Sequence, residues 1–363
     1  MTVQYVPMQM TNRIGVPLIS VIIPNYNYQD YVGAAIDSAL NLDWPRVEVI
    51  VIDDGSTDRS RSVIERYGSR IKTIFQENSG QLVACNKGFA LSRGEIIVFL
   101  DSDDVLDRAF AREILAIWTP RASKVQVQMR VVDARGTPTG SVFPQYPRVP
   151  TPEQIRRWAT RSSAYPTPPG SGNAYSRWFL GCLFPLRDTC GTANDSYSLA
   201  AAPFLGDVLT IAKPLVSYRV HGRNQGALTK LDARQFQRQL TRSRLRRQYA
   251  CRIARNVGIE LRDDAVDRSL TYLAYRISSL KLARKTHPIA NDSAWRCLAD
   301  FSLAFFVPQG VGLKARLSLL LWGWAVCLLP ASIATRLVLW RFAPHARPRT
   351  LKHLLTKLRV ARA

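Results

Sequence analysis

Three short segments near the start of the chain are almost continuously apolar and rich in β-branched side chains: Leu18–Ile23, Glu48–Ile52 and Glu95–Leu100. Runs of this kind, without alternation, are typical of strands buried on both faces of a parallel sheet. Between them, Asp30–Leu42 repeats apolar residues at four-residue spacing, and Arg59–Tyr67 also has a helical pattern. The succession predicts a Rossmann-related α/β domain with a mostly parallel sheet flanked by helices.

Polar clusters follow each of the three predicted strands. They are Pro24-Asn25-Tyr26-Asn27, Asp53-Asp54-Gly55-Ser56-Thr57-Asp58 and Asp101-Ser102-Asp103-Asp104. The carboxyl ends of neighbouring parallel strands meet at one edge of the sheet, where ligands of such folds bind. Crowded carboxylates are costly unless a cation or hydrogen-bond donors offset their charge. The pattern therefore predicts a ligand site at this edge.

Asp101 and Asp103 are separated by one residue at a strand end, so both side chains can turn toward one ion. Carboxylate oxygens suit Mg²⁺ or Mn²⁺, whose remaining ligands are substrate phosphates and water. A lone Asp-x-Asp after a strand is more often a turn or a helix N-cap. The convergence of three strand ends favours the metal site here.

The succession SVIIPNYN, VIVIDDGSTD and NSGQLVACNKGFALSRGEIIVFLDSDD resembles the family-two glycosyltransferases of the GT-A fold. These enzymes transfer a sugar from a nucleotide-sugar donor. The resemblance covers about residues 18–225, and it implies a GT-A-like catalytic domain over that range.

The resemblance also implies roles for individual residues. Tyr26 would pack on or near the nucleobase, and Asp54, with Asp53 as the less favoured choice, would accept a hydrogen bond from it. Asp101 would lie near the ribose and the metal, and Asp103 would bind the metal directly. The implied nucleotide-sugar-binding set is Pro24, Tyr26, Asp53, Asp54, Gln81, Lys87, Asp101 and His221.

Two of these assignments carry alternatives. Gln81 and Asn86-Lys87 fall in the helix that the family places beside the donor, but Cys85 stands where many members have arginine. His221 belongs to a Tyr-Arg-x-His segment similar to the one that closes the family's catalytic domain. It is either a buried structural histidine or a contact to the diphosphate.

The family's general base commonly belongs to a Glu-Asp pair between the acceptor-side segment, here Ser171–Arg177, and the Tyr-Arg-x-His segment. In this chain the pair reads Asn194-Asp195, so Asp195 is the predicted base. Alternatively, Asp195 is a solvent-exposed aspartate in a loop. Gln154–Trp158 matches the Q-x-x-R-W pattern of processive polysaccharide synthases, but it precedes Asp195 instead of following it, which favours transfer of a single sugar.

The C-terminal part of the chain differs from this domain in its net charge. The net charge is +23, of which residues 1–225 carry +4, residues 226–285 carry +10 and residues 286–363 carry +9. We predict an N-terminal extension over 1–17, a basic helical region over 226–300 and an apolar and basic membrane-associated region over 301–363. Residues 317–335 are uncharged, and whether they span a bilayer, lie on it or form a buried soluble helix stays open.

A nucleic-acid-binding protein is the alternative from a different class, because the pI is near 10.3. The basic region has no zinc-finger spacing, RNA-recognition signature or zipper heptads, and no C-x-x-C pair is present. Met1–Pro17 lacks the pattern of a secretory signal. These features favour a protein on the cytoplasmic face of the cell membrane, attached to its anionic surface, with no nucleic acid as partner.

Together these features predict a metal-dependent, inverting glycosyltransferase that uses Mn²⁺ or Mg²⁺. The expected donor is a nucleotide-diphosphate sugar, with uridine diphosphate as the leaving group. The expected acceptor is a hydroxyl of a lipid-linked or surface polysaccharide. A nucleotidyltransferase could use the same metal site, and it would release pyrophosphate instead of a nucleoside diphosphate.

Overall fold

The computed structural model describes residues 16–187, 195–222 and 233–342. The strands of this part are β1 (Ile19–Asn25), β2 (Val47–Asp54), β3 (Lys72–Gln76), β4 (Ile96–Phe99), β5 (Val105–Leu106), β6 (Ala122–Val132), β7 (Pro138–Phe143), β8 (Asn173–Ser176) and β9 (Asp207–Arg219). They form a nine-stranded sheet with the order β3-β2-β1-β4-β8-β6-β9-β5, and β7 pairs with β6.

The first helices along the chain are α1 (Val32–Leu40), α2 (Ser60–Glu65), α3 (Gln81–Leu91), α4 (Phe110–Ala116), α5 (Pro152–Ser162), α6 (Arg177–Gly181) and α7 (Asp195–Leu205). The later ones are α8 (Ala233–Asn256), α9 (Leu270–Leu282), α10 (Ala294–Phe306), α11 (Leu313–Leu328) and α12 (Ala331–Phe342).

The predicted α/β architecture is confirmed, and the three apolar segments are β1, β2 and β4. β1 pairs in parallel with both β2 and β4, and β2 pairs in parallel with β3. β8 then joins the halves of the sheet, antiparallel to both β4 and β6, while β6 and β9 run parallel. The carboxyl ends of β1, β2 and β4 consequently lie side by side.

Alternate residues of β1 enter different cores, which explains its unbroken apolar sequence. Val21 and Ile23 pack with Ile36 of α1 on one face of the sheet. Ile22 packs with Cys85 of α3 on the other face. Because helices cover both faces, a polar residue in the middle of β1 would be buried in either direction.

Helix α3 lies unusually close to the sheet. At Gly88 a methyl group would clash with the side chain of Ile22, so this position needs glycine for the close approach of helix and strand. The contact fixes α3 against β1, with Gln81 at the N-terminal end of the helix toward the polar edge of the sheet.

Residues 146–172 are rich in proline and glycine, a composition typical of a loop, yet they contain α5. The Thr151 hydroxyl accepts a hydrogen bond from the Gln154 amide at 3.3 Å, and the Gln154 side chain accepts one from the Thr151 amide at 3.0 Å. With Pro152 at the first helical turn, this capping box begins the helix. The capping sequence outweighs the high proline content around it.

The C-terminal helices α8 to α12 share a core of their own, which includes Phe236, Leu273, Phe301, Leu320 and Val338. The uncharged run 317–335 is divided there, since α11 ends at Leu328 and α12 begins at Ala331. In the described ranges, none of the helices combines the length and apolarity needed to cross a membrane. The domain boundaries proposed from sequence stay predictions.

Candidate active site

The turns after β1 and β2 are held together by side chains. Asn25 donates through Nδ2 to Asp53 Oδ2 at 2.8 Å, and Ser56 donates to the same carboxylate through its amide at 2.9 Å and its hydroxyl at 2.7 Å. Asn27 adopts a left-handed conformation, and its Oδ1 accepts from the Thr57 amide at 2.7 Å. Buried Asp53 therefore holds the turns after β1 and β2 together. Its contact to a nucleobase stays a prediction.

Asp54 fixes the turn that leads into α3. Its carboxylate accepts hydrogen bonds from Gln76 Nε2 at 2.6 Å and from the amides of Ser79 and Gly80 at 2.8 Å each. A carboxylate has about four acceptor positions, so these three donors leave one of them without a described partner. Asp54 is 3% exposed, and its contact to a nucleobase stays a prediction. Tyr26 is 44% exposed on the neighbouring turn.

Pro24 is buried at the end of β1, where its carbonyl accepts a hydrogen bond from the Ser102 hydroxyl at 2.8 Å. This contact joins the end of β1 to the acidic turn after β4. Lys87 is exposed on α3, whereas its neighbour Asn86 binds the backbone of Leu186 through both amide atoms, at 2.8 and 2.9 Å. The predicted contacts of Pro24 and Lys87 to the donor stay predictions.

Asp101 is positioned by polar groups from two sides. Gln81 Nε2 donates to its Oδ1 at 3.0 Å, and its amide donates to the hydroxyl of Ser171 at 3.1 Å. Burial, together with the charges of Asp103 and Asp195, raises the pKa of Asp101 to about 7. Burial is the largest cause, and the two like charges add to it because they disfavour the ionised form of Asp101.

His221 and Arg219 hold the acidic turn from the end of β9. The Nε2 atom of His221 lies 3.0 Å from Asp103 Oδ2, and the imidazole stacks on Tyr31 with ring centroids 4.9 Å apart. Arg219 donates through its amide to Asp104 Oδ1 at 3.1 Å and through Nε to the Asp103 carbonyl at 3.0 Å. His221 is therefore a buried partner of the predicted metal ligand, and a contact to the diphosphate stays a prediction.

Asp195 is the first residue of α7, and its charge is one of the causes that raise the pKa of Asp101. Its predicted role as the base stays a prediction. Asn194 lies outside the described residues, as do Arg223 and Asn224 of the segment that follows His221.

Sequence reasoning missed Lys124, which lies beneath the site. It is fully buried in β6, and its Nζ donates to Asn173 Oδ1 at 2.7 Å and to Thr167 Oγ1 at 2.8 Å. Burial lowers the pKa of this amine well below its usual range, while the charge of Asp195 opposes that shift. Its place in the sequence gives no signal of burial, because Lys124, Gln126, Gln128 and Arg130 alternate with apolar residues along β6, a pattern typical of a strand with one exposed face.

The acidic turn has the chemistry of a site for a hard divalent ion. Burial and then the charges of Asp101 and Asp103 raise the pKa of Asp104 well above its usual range. Among the described residues, Asp104 Oδ2 is buried without a hydrogen-bond partner, and no three His, Cys, Asp or Glu side chains converge as a complete ligand set. Two carboxylates with substrate oxygens and water are a common ligand set for Mg²⁺, so Asp101 and Asp103 fit an ion that the substrate completes.

Comparisons with known proteins agree with this geometry. Residues 20–184 match the family described as Glycosyl transferase family 2. An uncharacterized glycosyltransferase of Nostoc sp. is 35% identical over 212 residues, which cover 57% of this chain and 66% of that protein. The chain spans less than two thirds of the length of the first curated relatives that it matches.

Two solved structures share the fold. The crystal structure of S. aureus TarS 1–349 in complex with UDP-GlcNAc has a TM-score of 0.53 and 16% identity, over 85% of this chain and 90% of that chain. The mannosyltransferase PcManGT from Pyrobaculum calidifontis in complex with GDP-Man and Mn²⁺ has a TM-score of 0.51 and 18% identity, over 90% of this chain and 85% of that chain. At these identities the likeness concerns the fold.

Proposed function

We propose that the chain, whose residues 20–184 match glycosyltransferase family 2, transfers one sugar from a nucleotide-diphosphate sugar to an acceptor hydroxyl with inversion. The observation that carries the proposal is the acidic turn after β4, at the edge where the carboxyl ends of β1, β2 and β4 meet. Gln81 holds Asp101 and His221 holds Asp103 there, each at 3.0 Å. Two carboxylates held in this way fit a site that binds a cation and a diphosphate.

In the proposed reaction Asp195 takes the proton from the acceptor hydroxyl as its oxygen forms a bond to the anomeric carbon. The bond between that carbon and the diphosphate oxygen breaks, and the bonding electrons leave with the nucleoside diphosphate. A divalent ion held by Asp101 and Asp103 would offset the negative charge on the diphosphate. Gln81 and His221 orient these two carboxylates through their contacts of 3.0 Å.

We propose uridine diphosphate as the leaving group. The one acceptor position left on Asp54 suits the imide N–H of uracil, and exposed Tyr26 offers a ring beside it. The TarS structure, which shares the fold, holds UDP-GlcNAc, whereas the mannosyltransferase holds GDP-Man with Mn²⁺. Both donors therefore belong in the first test.

A thermal-shift screen with these two nucleotide sugars, with and without Mn²⁺, tests the proposed donor site. A ligand that binds only the native state stabilises it by about 2.7 kcal/mol at one hundred times its Kd. We expect UDP-GlcNAc to raise the Tm in the presence of Mn²⁺ and to have little effect without it. If neither sugar raises the Tm with Mn²⁺ or Mg²⁺, the proposed function is wrong, and release of pyrophosphate during turnover would favour a nucleotidyltransferase.

We further propose that α10 and α11 attach the protein to the cytoplasmic face of the cell membrane, beside a lipid-linked or surface-polysaccharide acceptor. Along α11, Leu317, Leu321, Trp324 and Leu328 are all exposed, and their spacing places them on one helix face. Phe306 of the neighbouring α10 is 76% exposed. A continuous apolar face of this kind fits the interfacial layer of a bilayer.

The charge of the same region supports a preference for anionic lipids. Residues 286–363 contain two acidic side chains, Asp292 and Asp300, and both bind Arg276, at 2.6 and 2.7 Å. Arg268 also lies 3.9 Å from Asp300, so two guanidinium groups offset the charges of these two carboxylates. The outward charge of the region is basic, which favours anionic headgroups.

The double variant Leu321→Gln with Leu328→Gln is expected to lose at least about tenfold in affinity for vesicles that contain phosphatidylglycerol, because each leucine contributes about 1.5–3 kcal/mol when buried. Cosedimentation measures the loss.

A deletion of residues 314–363 would also remove buried Leu320, so exposed positions give the cleaner test. Leu91→Gln with Ile117→Gln, two exposed apolar positions on the catalytic domain, is the matched control. Equal binding by both double variants would refute attachment through this face.

A further inference from the structure

A cavity of about 260 Å³ lies between the catalytic domain and the C-terminal helices. The end of α5 and the segment that follows it form one wall, and α7, α8 and α9 form the others. Ser163, Tyr165 and Thr167 line it from the catalytic side, and Arg246 and Tyr275 line it from the helical side. None of these residues has a role in the proposed transfer chemistry.

The charge of the cavity is positive. In the described part of the chain, its lining includes Arg246 and Arg247 and no carboxylate. Arg247 is buried and donates to the carbonyls of Ala159, Thr160 and Arg262, so its guanidinium holds α5 against α8. Of the two arginines in the lining, Arg247 therefore has a structural role, and Arg246 does not share these contacts.

Arg246 is the arginine available to a ligand. It is half-buried, and it forms no hydrogen bond or ion pair with another described residue. Burial raises the pKa of Tyr165 and Tyr275, and the charge of Arg246 opposes the shift in both. Arg246 therefore lies near enough to both tyrosines for its charge to act on them, and it lines the same cavity.

Ser163 provides a second donor without an internal acceptor. Its Oγ is buried and has no hydrogen-bond partner among the described residues. The residue ends α5 in a left-handed conformation, with a φ of 56°. A guanidinium and a hydroxyl that both lack acceptors, in a cavity without carboxylates, match the oxygens of a phosphate group.

The cavity adjoins Lys124, the buried amine beneath the site. Tyr165 and Thr167 line the cavity, and Lys124 Nζ lies 2.8 Å from Thr167 Oγ1 and 5.3 Å from the Tyr165 ring centroid. The charge of Asp195 acts on both Lys124 and Tyr165. A ligand in the cavity would therefore lie beside residues that contact Lys124 and that share the electrostatic surroundings of the proposed base.

We propose that this cavity binds a phosphate ester or phosphodiester group of the sugar acceptor, with Arg246 and Ser163 as donors to its oxygens. The proposal rests on the proposed transfer reaction, and it adds that the acceptor is a phosphorylated molecule. The phosphate belongs either to a soluble saccharide or polyol phosphate or to a lipid headgroup. Both sources present the same oxygens to Arg246.

Titration of the full chain with sn-glycerol 3-phosphate, with neutral glycerol as the reference, tests the site by thermal shift and calorimetry. Saturating UDP and Mn²⁺ keep the ester out of the proposed donor site. Arg246→Gln is expected to raise the Kd at least about tenfold, the loss that corresponds to one charge-assisted hydrogen bond. Ser163→Gly, which keeps the left-handed conformation, is expected to raise it by a smaller factor.

Arg255→Gln removes the same charge from an exposed position of α8, and it should bind like the unchanged protein. The same variants tested on phosphatidylglycerol vesicles distinguish the sources, since loss on vesicles alone identifies a lipid headgroup. Equal effects of Arg246→Gln and Arg255→Gln on both probes, or no binding to either probe, would overturn the proposal. The donor-induced Tm shift should persist in Arg246→Gln, and its absence in the unchanged protein would count against the transferase function and not against the cavity.

Discussion

Replacement of Asp103 by asparagine is expected to reduce Mn²⁺-dependent sugar transfer by about 10³-fold or more. Asp103 is the proposed direct ligand of the divalent ion, and loss of its charge removes several kcal/mol of stabilisation from the developing diphosphate charge. Asparagine keeps the shape of the side chain and an oxygen for His221, which lies 3.0 Å away. Release of nucleoside diphosphate, measured across a Mn²⁺ titration, gives the rate and its metal dependence.

Asp43→Asn is the matched control for this prediction. Asp43 is an exposed carboxylate that pairs with Arg112 at 3.0 Å, so the same change of charge occurs away from the cleft. We expect this control to keep full activity and the same Mn²⁺ dependence. If Asp103→Asn also kept them, Asp103 would have no place in the metal site, and the acidic turn would have only a structural role.

Local sequence is sufficient to predict the parallel half of the sheet. The apolar runs at β1, β2 and β4 are unbroken because helices cover both faces, so each strand is recognisable without its neighbours. Parallel pairing then places their polar ends along one edge, with Asp54 and Asp101 on either side of the end of β1. The polar carboxyl edge of the sheet can therefore be predicted from the sequence alone.

The other half of the sheet depends on contacts that local patterns do not encode. β8 has four residues and lies between β4 and β6, although it comes long after both strands in the chain. The contact of His221 with Asp103 joins residues 118 positions apart. Lys124 is misleading for the same reason, because a lysine in a strand normally indicates an exposed face, and only the tertiary contacts to Asn173 and Thr167 explain its burial.

The helical region shows a similar limit. The uncharged run 317–335 predicts an apolar segment, but the pattern does not show which of its side chains are buried. The structure buries Leu320 and Val326 in the helical core and leaves Leu321 and Leu328 exposed. The proposal of membrane attachment therefore depends on the fold, and the sequence contributes the basic charge around it.

Asp195→Asn is expected to reduce kcat by about 10² to 10⁴-fold, the usual range for loss of a general base. The amide cannot take the proton of the acceptor hydroxyl, while the ligands proposed for the donor and the ion all lie on other elements. The donor-induced Tm shift with Mn²⁺ should therefore stay as it is in the unchanged protein, and Asp43→Asn again serves as the control. The two measurements separate this variant from Asp103→Asn, in which the metal-dependent shift should also be lost. Near-normal turnover in Asp195→Asn would assign the proton transfer to another group, and a lost shift would place Asp195 among the residues that bind the donor.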